Sequence, residues 1–207
     1  MITTFESQTH RQRFALGIIC GLLPIACLLF GYIGELRGVN PQEWYYSISA
    51  TYFANSSPCM IVALGLCGFF FLTYKGYDRW DRIYTIVSSI SALLIVAFPC
   101  TTATSQDYLG VFACPAKASN AIHGIAAAIL FGCFALMILL QFTKGGHKRR
   151  NTIYRICGYI ILAALLATAV TFLIPNAPGY TTIIYEFFML EAFAVAWLIK
   201  SGVFPKI

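Results

Sequence analysis

The sequence predicts an all-α polytopic membrane protein, and three observations carry that prediction. Hydrophobic residues make up 59% of the 207 residues and charged residues 11%, with a mean hydropathy of +0.75. Soluble domains run at about half apolar and a quarter charged. The apolar residues also come in long continuous runs, not in the alternating segments of about ten residues that build a membrane β-barrel. Finally, the basic residues cluster in every second connection between runs, the charge pattern of a chain that crosses a bilayer repeatedly. Lipid offers no partner to exposed backbone groups, so the runs are read as helices. Six transmembrane helices are predicted, over about residues 14–34, 50–74, 83–99, 120–142, 156–174 and 183–199, in a single domain spanning 1–207.

The first run follows a short basic segment, His10, Arg11 and Arg13, without a small-residue cleavage site after it. It is read as an uncleaved first helix. The second is expected to begin near Ser49, with the polar residues Tyr52, Asn55 and Ser56 in its first turns, and Pro58 either kinks it or marks its true start. Before the third run, Asp78 and Asp81 alternate with Arg79 and Arg82 in KGYDRWDRIY, the pattern of a solvated, salt-bridged turn. The fourth run is expected to be the central helix. It carries His123, the one histidine inside an apolar run, and a stripe of small residues, Gly124, Ala128 and Gly132, of the kind that lets helices approach closely in lipid. Glu186 falls in the first turn of the sixth run and Glu191 about two turns in.

All the Lys and Arg residues except Arg37 and Lys117 fall on the side of the bilayer that holds the termini. By the positive-inside rule both termini are cytoplasmic. The same rule accounts for the formal net charge of +6 without nucleic acid, so none is expected as a partner; membrane lipids are. A shift of seventy residues aligns Thr73 with Thr143, Gly76 with Gly146, Arg79 with Arg149 and Ile83-Tyr84 with Ile153-Tyr154. This predicts a parallel repeat of the hairpins 2-3 and 4-5, framed by the first and sixth helices.

Ionisable groups at membrane depth are costly and therefore mark candidate sites. On the outer side the sequence gathers Ser47, Ser49, Tyr52, Asn55, His123, Glu186 and Glu191, and these seven are the predicted pocket. The bland alternative is also open: a histidine in a Gly/Ala-rich helix serves as an interhelical hydrogen-bond donor, and Trp44-Tyr45-Tyr46 forms an interfacial aromatic belt. Catalytic zinc needs three protein ligands and an open position, and the membrane interior supplies a single histidine. No metal or other cofactor is expected, a His123–Glu186–Glu191 zinc set being the alternative. Of the eight cysteines, Cys100 and Cys114 flank the outer loop between the third and fourth helices. They are the disulfide candidate, at about 3 kcal/mol for a loop of that length.

Tyr46-Ser-Ile-Ser-Ala-Thr-Tyr52, Lys75-Gly-Tyr-Asp-Arg79, Phe98-Pro99, His123, Ile153-Tyr154-Arg155 and Leu190-Glu191-Ala192-Phe193-Ala194-Val195 resemble, in this order, a family of small uncharacterised bacterial six-helix membrane proteins. The plan is more distantly similar to the DRAM/Sfk type. The resemblance implies a bacterial cytoplasmic (inner) membrane location and no settled chemistry. Relatives are expected to carry a histidine where this chain has Phe53, the position that the seventy-residue shift pairs with His123. A two-histidine version would resemble the zinc hydrolases of the alkaline ceramidase and adiponectin-receptor group, and Phe53 departs from it. The leading expectation is an outward-facing pocket for a lipid or small amphiphile, with proton-linked movement as a further element. A metal-dependent membrane hydrolase and a structural or regulatory subunit are the alternatives.

Overall fold

The computed structural model describes residues 4–76, 78–103, 105–145, 147–175 and 177–204. Gly146 of the internal echo and Lys206 of the charge count lie outside them. The described residues form an all-α fold of six helices, α1 (Thr4–Leu36), α2 (Ser57–Thr73), α3 (Arg79–Ala97), α4 (Ala116–Leu140), α5 (Lys148–Thr171) and α6 (Thr181–Lys200), with one two-stranded hairpin of β1 (Tyr108–Leu109) and β2 (Cys114–Pro115). All except α2 are long and apolar enough to cross a membrane; α2, at 17 residues, is a shorter apolar helix.

The helix boundaries follow local chemistry. Asp78 starts α3 by accepting hydrogen bonds from the Trp80 and Asp81 amides at 2.9 and 3.0 Å, which satisfies two of the amides a helix start leaves open. Pro58 marks the start of α2 and does not kink a longer helix: Ser57 and Pro58 open it, where proline costs no hydrogen bond. The expected helix from Ser49 is therefore replaced by a separate 3-10 turn over Ser49–Phe53. Ahead of α4, the hairpin folds back on the end of α3. Val111 N donates to the Ala97 carbonyl, and at Gly110 (φ 71°) any Cβ would collide with that same oxygen, so only glycine fits.

Hydrogen bonds between helix ends fix the arrangement. At one end, Arg13 Nε donates to Tyr74 Oη at 2.9 Å, His10 Nδ1 to the Ser201 carbonyl at 2.7 Å, and Lys144 Nζ to Asp78 Oδ2 at 2.6 Å. The starts of α1, α3 and α5 and the ends of α2, α4 and α6 thus share this basic end. Successive helices run antiparallel round the bundle, and α6 closes against α1.

The centre is α6, not α4. Phe193 and Trp197 of α6 are fully buried and pack, mostly edge to face, against Phe71 of α2, Tyr74 just beyond it, Phe134 of α4 and Phe142 just beyond that. Phe134 and Phe193 are closest, with ring centroids 3.9 Å apart. The stripe expected to seat α4 tightly is not a packing seam. A Cβ added at Gly124 or Gly132 would meet nothing within 4 Å, and Gly124 and Ala128 are exposed. Close approach instead occurs at Gly158 of α5, under Leu139, and at Gly17 of α1, under Leu198. Small residues permit close approach, but the neighbouring helix decides where it happens.

Asp81 is a second correction. Asp78 is partly exposed and bridges to Lys144, as a solvated turn should, but Asp81 is buried at 2% exposure. It sits in a cluster with the buried Arg13 and with Lys200, which lies over the Phe142 and Tyr154 rings and donates to the Phe142 carbonyl. Buried charge that is paired and hydrogen-bonded is tolerated where an isolated one is not.

Candidate ligand-binding site

At the end opposite the basic one, polar side chains tie the connecting segments to the helices. The first turns of α4 act as a staple for the segment after α3. Ser119 Oγ donates to the Pro99 carbonyl at 2.8 Å, Thr101 N donates to Asn120 Oδ1 at 3.0 Å, and His123 Nδ1 donates to the Phe98 carbonyl at 2.9 Å. Residues 119, 120 and 123 lie along one face of a helix, which is why one helix start can hold three groups of the same segment. A carbonyl only accepts, so the His123 proton is on Nδ1.

Glu186 does the equivalent work for the first connection. Ile48 N donates to Glu186 Oε2 at 2.5 Å, and the Ser49 amide and hydroxyl face the same carboxylate. Ile183 N donates to the Tyr46 carbonyl at 3.0 Å beside it. The start of α6 and the 3-10 turn are thus locked together, and Ala50, Thr51, Ala54 and Ser56 of that segment are buried. Glu186 falls in the second turn of α6, because that helix begins at Thr181.

Between these two staples α4, α5 and α6 part and leave a half-open cavity of about 440 Å³, within the range of small-molecule sites. Its walls are apolar: Ala127, Ala128 and Phe131 of α4, Leu165 and Ala169 of α5, and Met189 of α6. Its polar lining comes from Ser47, Ser49, Asn120, His123, Thr168, Thr182 and Glu186, with Cys100 and Phe172 beside them. A second cavity of about 440 Å³ shares Ser47, Cys100, Asn120, Phe172 and Thr182 with the first and extends past Glu43, Tyr46 and Thr102. The two form a vestibule and a chamber.

Four of the seven predicted pocket residues meet here: Ser47, Ser49, His123 and Glu186. Three do not. Tyr52 packs against the hydrophobic core and the ring of Phe53. Asn55 is held over α1, its amide donating to Asn40 Oδ1 at 2.8 Å and its Nδ2 to the Phe30 carbonyl at 3.4 Å. Glu191 lies against Gly21 and Cys20 of α1, one buried oxygen without a hydrogen-bond partner; five residues along a helix turn it away from Glu186. The His123–Glu186–Glu191 set is therefore not assembled. Among the described residues, no three His, Cys, Asp or Glu side chains are grouped to hold a metal ion.

The sequence-based set misses Asn120, Thr168 and Thr182, neutral residues whose burial costs far less than that of a charge and so does not flag them. It also misses Cys100, whose signal was its position at the mouth of the outer loop. Cys100 and Cys114 are both free thiols. Cys100 lines the cavity and Cys114 sits in the hairpin opposite Leu109. Burial, aided by the nearby Glu186, pushes the Cys100 thiol up to about 12. The expected aromatic belt is also divided. Trp44 is buried on Gly31 and donates to Glu35 Oε2 at 2.8 Å, Tyr45 is exposed, and Tyr46 covers Gly179 at the vestibule. Phe53, the repeat partner of His123, lines neither chamber nor vestibule.

No family model matches the chain, and no curated protein or solved structure is significantly similar to it.

Proposed function

We propose that this is a six-helix integral protein of a bacterial cytoplasmic membrane, both termini cytoplasmic, that binds a lipid or small amphiphile from the outer leaflet. The charge asymmetry supports the orientation: the far end keeps only Arg37 and Lys117, both exposed, whereas Lys and Arg crowd the end with the termini. At about 1.5 Å per residue, α2 reaches about 26 Å against a hydrocarbon core of about 30 Å. The buried 3-10 turn ahead of it completes the sixth crossing. The seventy-residue echo fits an ancestral pair of hairpins whose first member has since exchanged its outer helical turns for that turn.

The single observation behind the binding function is the chamber: apolar walls, a polar roof, and a bare strip at Gly124 and Ala128 between α4 and α5. An acyl or alkyl chain would lie along the walls, its head among Ser47, Asn120 and Thr182. His123 and Glu186 shape the roof. Each is already hydrogen-bonded to backbone, so the reading needs no proton movement through them.

The test is native mass spectrometry of protein released from membranes in mild non-ionic detergent, beside Ala128→Trp. The side chain at 128 points into the chamber, so the variant should melt like the parent. A small amphiphile retained by the parent and absent from the variant is the expected result. Equal retention by both, with equal melting temperatures, would overturn the proposal.

A further inference from the structure

We propose that the head of the bound amphiphile is cationic: the site takes an alkylammonium-type ligand, singly charged on nitrogen. This rests on the chamber being a ligand site, and names its ligand class. Among the described residues lining the chamber and vestibule there is no Lys or Arg. Arg37 and Lys117, the basic residues of this end, are exposed and line neither. The acids are placed the other way. Glu186 is at the chamber and Glu43 at the vestibule, where Tyr46 and Phe172 add aromatic surface.

A phosphate or carboxylate head would therefore lie beside the Glu43 carboxylate and the Glu186 side chain with no cation to offset their charge. A quaternary ammonium meets the opposite situation. It needs no hydrogen-bond acceptor, is attracted by carboxylate charge, and is favoured over aromatic faces.

Glu43 gives an independent reason to look here. Its backbone sits at φ 69°, a left-handed conformation uncommon for a residue other than glycine and found disproportionately at functional sites. Its Oε2 accepts from Ala103 N at 3.0 Å, which fixes the carboxylate across the vestibule from the α5–α6 connection. Structural need alone does not call for glutamate, because an amide oxygen would accept that bond equally well.

The experiment measures binding of three probes of equal chain length to purified protein in neutral nanodiscs: dodecyltrimethylammonium, dodecanol and dodecyl phosphate. The expected order is ammonium over alcohol by about tenfold, an order of magnitude in keeping with a partly solvated charge contact, with the phosphate weakest. Glu43→Gln keeps the acceptor for Ala103 and should bring the ammonium down to the level of the alcohol, leaving the alcohol unchanged. Equal binding of all three probes, tighter binding of the phosphate, or an unchanged ammonium preference in Glu43→Gln would overturn the cationic assignment. In each of those outcomes the chamber stands. Failure of all three probes to bind would instead remove the chamber reading and this inference with it.

Discussion

Replacing Glu186 separates an anchoring carboxylate from a titrating one. In the folded protein it accepts from Ile48 N and faces the Ser49 amide and hydroxyl, at 8% exposure. Glu186→Ala leaves two main-chain amides without an acceptor. A buried unpaired donor costs about 1–3 kcal/mol, and the neighbouring vestibule admits water, so about 2–4 kcal/mol in total is the working figure. For a chain of this size each kcal/mol moves the melting temperature by about 2–4 °C, which gives a fall of roughly 5–15 °C. Glu186→Gln retains one acceptor oxygen but turns an NH2 toward amide donors, so it should fall between alanine and the parent. The buried thiols Cys20, Cys27, Cys67 and Cys157 give the assay: a dye that fluoresces on reaction with thiols reports unfolding in detergent. Melting of Glu186→Ala within 2 °C of the parent, taking about 2 °C as the least shift a kcal/mol gives, would refute the anchoring role.

The remaining predictions test the basic end and the packing. The Lys144 ammonium, and then the Asp81 and Trp80 amides, hold the Asp78 carboxyl below its ordinary 3.8. A depressed folded-state value gives stability that is present above the unfolded value and lost as pH falls through the folded one. Asp78→Asn should thus melt below the parent at pH 7, and the gap should close under acid conditions below the carboxylate range, as read by melting curves against pH. Gly132→Ala should be neutral or stabilising by up to about 1 kcal/mol, because helical glycine is unfavourable and the site is open. Gly158→Ala should destabilise by about 1–3 kcal/mol, since the new methyl meets Leu139 at its branch carbon; paired melting curves decide. Phe193→Ala should cost about 3–5 kcal/mol, the largest loss in the set, because that fully buried ring touches Phe71, Phe134 and Trp197.

Helix number and helix order were legible in the sequence because they depend on local quantities, run length and charge between runs. What failed depends on partners. Gly124, Ala128 and Gly132 have the spacing of a packing stripe, yet spacing says nothing about whether a helix lies opposite; here a cavity does. Asp81 reads as solvent-facing beside Arg79 and Arg82, and only the fold brings Arg13 and Lys200 to it from α1 and the end of α6. Within the site, His123 and Glu186 announced themselves because charge-bearing groups are rare in apolar helices. Asn120, Thr168 and Thr182 cost little to place there and so left no trace. Tyr52 and Asn55 were misplaced for a definite reason: Pro58 starts α2, so the polar stretch before it is free to fold as a 3-10 turn against α1 and α6.

That turn also changes what ionisable groups within apolar helices signify. The expense of placing His123 and Glu186 in an apolar bundle is offset by bonds to backbone groups that would otherwise be unpaired: the carbonyls at the end of α3, and the amides at the start of the 3-10 turn. Without the two side chains those ends would need water, and the segments around Phe98 and Ile48 would swing outward to reach it. The chamber lies between the two staples, so its roof exists only while both hold. A substitution at either residue therefore acts on the shape of the chamber through the position of a whole segment, not through one lost contact. Under the proposed function, the groups that face a ligand directly are the neutral donors and Glu43, whose carboxylate is held at the vestibule by the Ala103 amide.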